Sequence, residues 1–202
     1  MSLKINIAKN LFDLNEIYYL SYSHRAFWQI YIESAPFRET NYNPEAFGVF
    51  PILDTTSIFH LRNLTLGYSH LSNGQGNDGS VTSSSRSVNY FYAILSMKHD
   101  ALITDFTLWA PFMGNDLSDN PDLMDYVGFG QIKLTYFKAK HMFSIKARGC
   151  IETGYGAVEG TYSYPIANDV YLYGKIFSGY GESLIDYNNH ITKFSIGFSF
   201  SR

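Results

Sequence analysis

The sequence predicts an all-β fold, an antiparallel up-and-down transmembrane β-barrel with about eleven strands. Three observations predict it. The dominant hydrophobic period is two, the signature of strands with one apolar and one polar face. The connections alternate between short and long, as in a meander. The polar face carries long charged side chains, Lys133, Lys146, Arg148, Glu159, Lys175 and Lys193, while the other face carries Leu, Ile, Phe and Tyr. A soluble barrel turns its apolar face inward, whereas an outer-membrane barrel turns it to lipid and keeps a polar lumen. The long charges therefore favour the membrane barrel, with a soluble ligand-binding barrel as the alternative.

The strands fall in order near 2–10, 16–32, 42–54, 58–72, 85–98, 100–113, 123–137, 140–150, 155–165, 169–181 and 187–200. The second has Tyr18, Leu20, Tyr22, His24, Ala26 and Trp28 on one face. The fourth ends in Leu64, Leu66, Tyr68, His70 and Ser72 on one face, with Asn63, Thr65, Gly67 and Ser69 on the other. The fifth alternates less cleanly, because Tyr90, Tyr92 and Ile94 fall on the supposed lumen face. In the seventh, Gln131, Lys133 and Thr135 alternate with Ile132, Leu134 and Tyr136. The eighth sets Lys146 and Arg148 against Phe143, Ile145 and Ala147. The last sets Lys193, Ser195, Gly197 and Ser199 against Phe194, Ile196, Phe198 and Phe200. Longer polar connections fall near 33–41, 73–84, 114–122, 150–154 and 181–188. No linker divides the chain, so residues 1–202 read as one domain.

Composition excludes other classes. Of 202 residues, 17% are aromatic and 16% charged, too aromatic for disorder. The lone Cys150 excludes a disulfide scaffold and reads as inert. A net charge of -3 argues against a nucleic-acid partner. No stretch approaches the ~18 apolar residues of a membrane helix. Met1-Ser2-Leu3-Lys4 runs straight into alternating residues, without the pattern of a signal peptide.

The chemistry-bearing group is His70 and Ser72. Two residues apart on one strand, they share a face roughly 7 Å apart at Cα. Pairing His70 with Asn89 on the next strand also pairs Tyr68 with Phe91, Leu66 with Ala93 and Leu64 with Leu95, which keeps the apolar face continuous. Ser, His and Asn supply a nucleophile, a base and a neutral group that fixes the imidazole tautomer. The oxyanion would then need further stabilisation, for which a bound cation is the natural source. The same residues also suit a membrane rim facing headgroups, and spacing alone does not separate the two readings.

The segments Tyr68-Ser69-His70-Leu71-Ser72-Asn73-Gly74 and Ser85-Arg86-Ser87-Val88-Asn89 resemble the active-site region of the bacterial outer membrane phospholipase A family. Pro36–Tyr42, Asp119-Asn120-Pro121-Asp122 and Ser178–Asn188 resemble the same family, in family order. The resemblance implies a twelve-stranded barrel that hydrolyses phospholipid acyl esters with calcium and is active as a homodimer in the bacterial outer membrane. It places the nucleophile on Ser72, the base on His70, the orienting amide on Asn89 and an oxyanion N–H on Gly74. It places calcium ligands on Ser85, on the Gln75 carbonyl, on Ser34 across the dimer and, for a second site, on Asp119. Asp78, in a loop longer than the family form, reads either as a further calcium oxygen donor or as a solvated loop aspartate. His24 is expected either at the dimer interface or at the membrane rim. Glu182 and Asp186 are expected to hydrogen-bond within their own loop.

Eleven strands with an extracellular 73–84 loop put the start near Leu3 outside the cell, whereas single-chain bacterial barrels have even strand numbers. The expectation is therefore a chain lacking the family's first strand and its signal peptide. The alternative function is a catalytically inactive outer-membrane barrel, a pore or adhesin.

Overall fold

The computed structural model describes residues 1–52, 59–76, 84–112 and 118–200. Eleven strands form one antiparallel sheet in strict sequence order. They are β1 (Ser2–Lys9), β2 (Ile17–Trp28), β3 (Phe37–Pro51), β4 (Leu61–Ser72), β5 (Ser87–His99), β6 (Leu102–Pro111), β7 (Gly130–Lys138), β8 (His141–Gly149), β9 (Gly156–Ala167), β10 (Val170–Gly179) and β11 (Ile191–Ser199). β1 and β11 stand at the two edges, so the sheet is not closed on itself. A twelve-residue strand such as β4 rises about 40 Å and, tilted, crosses a hydrocarbon core of about 30 Å.

The two faces divide as the alternation predicts. Leu20, Leu66, Phe91, Phe106, Ile132, Ile145, Val158, Ile176, Phe194 and Ile196 all stand exposed on the outside. An apolar band of this extent is built for hydrocarbon, not water. Inside, Lys146 meets Glu159 at 2.8 Å, Lys175 bridges Glu159 and Glu182 at 3.3 Å each, and Lys193 reaches Glu182 at 3.3 Å. This ladder ties β8, β9, β10 and β11 together across the lumen.

Several boundaries differ from the sequence reading: β2 ends at Trp28 and not near 32, and three further differences shape the mouth of the lumen. β3 starts five residues early, at Phe37, because Glu39 and Asn41 turn inward and act as acceptors instead of forming a polar loop. Residues 123–127 form a short helix, α1 (Leu123–Val127), not the start of a strand. Leu123, Met124 and Val127 pack with Val88 and Tyr187 in the lumen. The apolar inward residues at the start of β5 have the same cause. Val88 and Tyr90 point inward because the mouth of the lumen is apolar, beneath α1 and against Leu71 and Trp109. Finally, β11 begins at Ile191, and the segment before it is a long capping loop.

That loop crosses the mouth to β3. Leu184 and Ile185 donate backbone N–H groups to Asn41 Oδ1 (3.3 Å) and Glu39 Oε1 (2.8 Å). Arg38 forks onto Asp186 with bonds of 2.8 and 2.6 Å. The guanidinium holds the Asp186 carboxyl below its usual range, more than offsetting the opposing effect of partial burial. A lowered folded-state pKa gives stability that is present above the unfolded value and lost as pH falls through the folded one. Acid below about pH 4 is thus expected to detach this loop first. Amide exchange at Leu184 and Ile185 should accelerate there, and Arg38→Ala should reproduce the acceleration at neutral pH. Unchanged exchange in acid would show that the ion pair is not what anchors the loop.

Candidate active site

β4 and β5 pair in the expected register: His70 opposite Asn89, Tyr68 opposite Phe91, Leu66 opposite Ala93 and Leu64 opposite Leu95. One outward row therefore runs across four strands at the end that carries the longer connections. It joins His24 to Tyr42, Tyr42 to Ser72 and Ser72 to Ser87. His70 and Asn89 sit one step below, at the edge of the apolar band. The His24 ring lies tilted between those of Tyr22 (6.2 Å) and Tyr42 (6.4 Å), on the same outward face.

His70 Nδ1 lies 2.8 Å from Asn89 Oδ1. An amide oxygen only accepts, so this contact puts the imidazole proton on Nδ1 and leaves Nε2 with its lone pair. A neutral Nε2 on the face that also carries the Ser72 hydroxyl is what a general base needs. The Tyr68 hydroxyl donates to the same Asn89 oxygen at 2.8 Å. The sequence reading placed Tyr68 only on the apolar face. Its signal was a phenol in a lipid-facing row, since a buried tyrosine hydroxyl usually finds a partner.

The chain leaves Ser72 through a fixed turn. Asn73 is 2% exposed. Its amide donates to Ser84 O (2.6 Å) and accepts from Arg86 N (3.0 Å) and Gln75 N (3.3 Å). It thereby ties the two ends of the β4–β5 loop together. Gly74 follows with φ +68°, and a Cβ there would come within 2.8 Å of the Tyr42 ring. Only glycine fits both demands without strain.

Ser85 and Asp119, which the sequence reading assigned to separate calcium sites, touch: Ser85 Oγ donates to Asp119 Oδ2 at 2.6 Å. Beside them the buried Asn120 accepts from Ser87 N at 2.9 Å, so the β6–β7 segment holds the start of β5 opposite Ser72. Tyr187 in turn donates to Asp122, linking this segment to the capping loop. Gln75 is exposed beside Gly74. Ser34 lies on another hairpin, exposed on the β2–β3 turn with φ +64°. Asp78 lies outside the described residues. The residues of this region offer oxygen donors, the kind calcium takes. Among the described residues, no three His, Cys, Asp or Glu side chains gather in one place. One chain thus offers a hydroxyl, a carboxylate and carbonyls, and a six- to eight-coordinate ion would draw its other oxygens from water or a second copy. The set fits calcium in kind.

Glu182 departs from expectation, whereas Asp186 bonds within its loop as expected and also reaches Arg38. Glu182 completes the lumen ladder, and Asp186 bonds chiefly to Arg38, with a 3.4 Å contact to Asn189 inside its loop. Cys150 is free, in the β8–β9 turn.

The family model for Phospholipase A1 matches residues 1–200. The chain belongs to this family. Phospholipase A1 of Escherichia coli strain K12 is 35% identical over 199 residues, covering 98% of the chain and 66% of the relative. The chain thus spans between about half and two thirds of the length of the curated phospholipases it matches. Outer membrane phospholipase A from Escherichia coli superposes with a TM-score of 0.90 at 36% identity, over 98% of this chain and 80% of that one. The Salmonella typhi outer membrane phospholipase, a dimer with bound calcium, superposes with a TM-score of 0.89 at 35% identity, over 98% and 75%. The antiparallel sheet and its outward apolar face are therefore those of the phospholipase A1 barrel.

Proposed function

We propose that this chain is a calcium-dependent phospholipase of the bacterial outer membrane. It hydrolyses acyl esters of phospholipids and lysophospholipids and works as a homodimer. The observation that carries the reading is the His70–Asn89 bond on the membrane-facing side, two residues from Ser72, in a chain of the phospholipase A1 family. In this position the reacting groups meet lipid laterally, without the substrate entering the lumen.

In the proposed reaction Ser72 Oγ attacks the ester carbonyl carbon and His70 Nε2 takes the hydroxyl proton. Asn89 accepts the Nδ1–H and keeps the imidazolium oriented. The carbonyl π electrons move onto oxygen, and the Gly74 N–H stabilises that charge. When the tetrahedral intermediate collapses, His70 returns the proton to the departing glyceryl oxygen, leaving an acyl ester on Ser72. Water, deprotonated by His70, attacks that ester and releases a fatty acid and free Ser72. A bound calcium ion would supply positive charge for the oxyanion, held by Ser85, Asp119 and the Gln75 carbonyl of one chain with Ser34 of a second copy.

The test is fatty-acid release from diacyl phospholipid in detergent micelles by the purified, folded chain. Calcium-dependent release is expected, while a folded chain that releases none would favour the inactive barrel. Within the same assay Gly74→Ala should lower kcat about tenfold or more, because strain at φ +68° and displacement of Tyr42 would disturb the turn beside Ser72. Wild-type turnover by this variant would show that the reaction does not depend on the turn geometry at Gly74.

A further inference from the structure

The structure assigns Tyr68 a part in the reaction: we infer that its hydroxyl is a positioning group, which keeps the Asn89 amide the right way round toward His70. The inference rests on the triad reading above.

The problem it addresses is specific to asparagine. A carboxylate presents an acceptor in either orientation, but an amide rotated by half a turn presents its NH₂ instead. A flipped Asn89 would donate to His70 Nδ1 and so favour the tautomer with the proton on Nε2. That tautomer cannot take a proton from Ser72. One bond between His70 and Asn89 does not by itself exclude this state, because the imidazole changes tautomer to suit it.

Tyr68 breaks the symmetry. Its hydroxyl and His70 Nδ1 both lie 2.8 Å from the same oxygen, Asn89 Oδ1. The Tyr68 ring is held by Phe91 (5.8 Å) and Phe112 (5.9 Å), which also contact each other at 5.1 Å. Neither phenylalanine side chain carries an acceptor. If Asn89 flipped, the phenol oxygen would accept from NH₂, and its own O–H would point into aromatic and lipid surroundings without a partner. An unsatisfied donor in such a place is costly, so the phenol favours the orientation in which Oδ1 faces both donors. The amide's backbone is fixed by the same neighbourhood, since Phe112 N donates to Asn89 O at 2.8 Å. Tyr68 acts through Asn89, one step removed from the reacting atoms.

The experiment is Tyr68→Phe in two backgrounds, wild type and Asn89→Asp, with kcat and KM measured on phospholipid micelles. In the wild type, loss of the hydroxyl should lower kcat about tenfold with KM little changed. In Asn89→Asp there is no NH₂ to turn toward His70, so the same substitution should change kcat by no more than about twofold. Sulfonylation of Ser72 by an alkanesulfonyl fluoride, followed as the rate of covalent modification with loss of fluoride, gives the same comparison if turnover in the Asp background is slow. Strand circular dichroism confirms that each variant is folded. Equal losses in both backgrounds, or a change in KM alone, would overturn the positioning role. An Asn89→Ala enzyme with undiminished kcat would instead overturn the triad reading beneath it.

Discussion

Ser72→Ala is expected to reduce fatty-acid release by about 10⁴-fold or more while the barrel stays folded. In the proposed reaction this hydroxyl forms the acyl-enzyme; its neighbours on the outward row are Tyr42 and Ser87 across the sheet and His70 along the strand. The substitution removes one oxygen at a strand end and leaves the turn that follows intact, since that turn depends on Asn73. His70→Ala should be comparably severe, because without the base the hydroxyl stays protonated. Asn89→Ala should cost less, about 10–100-fold, because an orienting hydrogen bond contributes roughly 1.5–3 kcal/mol when it bears on a charged imidazolium. Substitutions within such a unit do not add, so Ser72→Ala/His70→Ala should be no worse than either single variant. Hydrolysis rates on micellar phospholipid, with strand circular dichroism as the folding control, check the series. Substantial release by Ser72→Ala would end the nucleophile assignment.

Removing calcium should have the second-largest effect and should act on two readouts at once. Chelation is expected to lower hydrolysis by about 10²–10³-fold, the range for losing an oxyanion stabiliser. It should also shift the chain from dimer to monomer in crosslinking. The coupling follows from the placement of the donors. Ser85 and Asp119 meet on one chain, whereas Ser34 stands exposed on a separate turn where a second copy could share it. Ser34→Ala should therefore weaken dimerisation by calcium more than it disturbs the fold of the monomer. Activity that survives excess chelator would reject the metal's role, and a dimer indifferent to chelation would reject Ser34 as a shared ligand.

Much of this was legible in the sequence because strand periodicity is a local signal. Strict alternation in β7, β8 and β11 places each side chain on its face, and the His70–Asn89 register follows from keeping Leu64, Leu66 and Tyr68 opposite apolar partners. The apolar helix α1 was not legible, since Leu123, Met124 and Val127 also satisfy a strand reading over so few residues. Nor was the early start of β3. Glu39 and Asn41 look like loop residues until the capping loop, some 145 positions later, supplies the donors that make them inward-facing acceptors. At the site, sequence spacing brought His70, Ser72 and Asn89 together. It could not show that Asp119 reaches Ser85 or that Tyr68 shares the Asn89 oxygen, because both contacts depend on side-chain reach across the sheet.

The most direct test of the central claim is to find which residue acts as the nucleophile. The folded chain, in calcium-containing micelles, is treated with an alkanesulfonyl fluoride, digested and mapped by peptide mass spectrometry while residual hydrolysis is followed. A single adduct on Ser72, formed in step with the loss of phospholipid hydrolysis and absent from His70→Ala, is the predicted result. An adduct on another residue, or hydrolysis that continues with Ser72 fully modified, would contradict it.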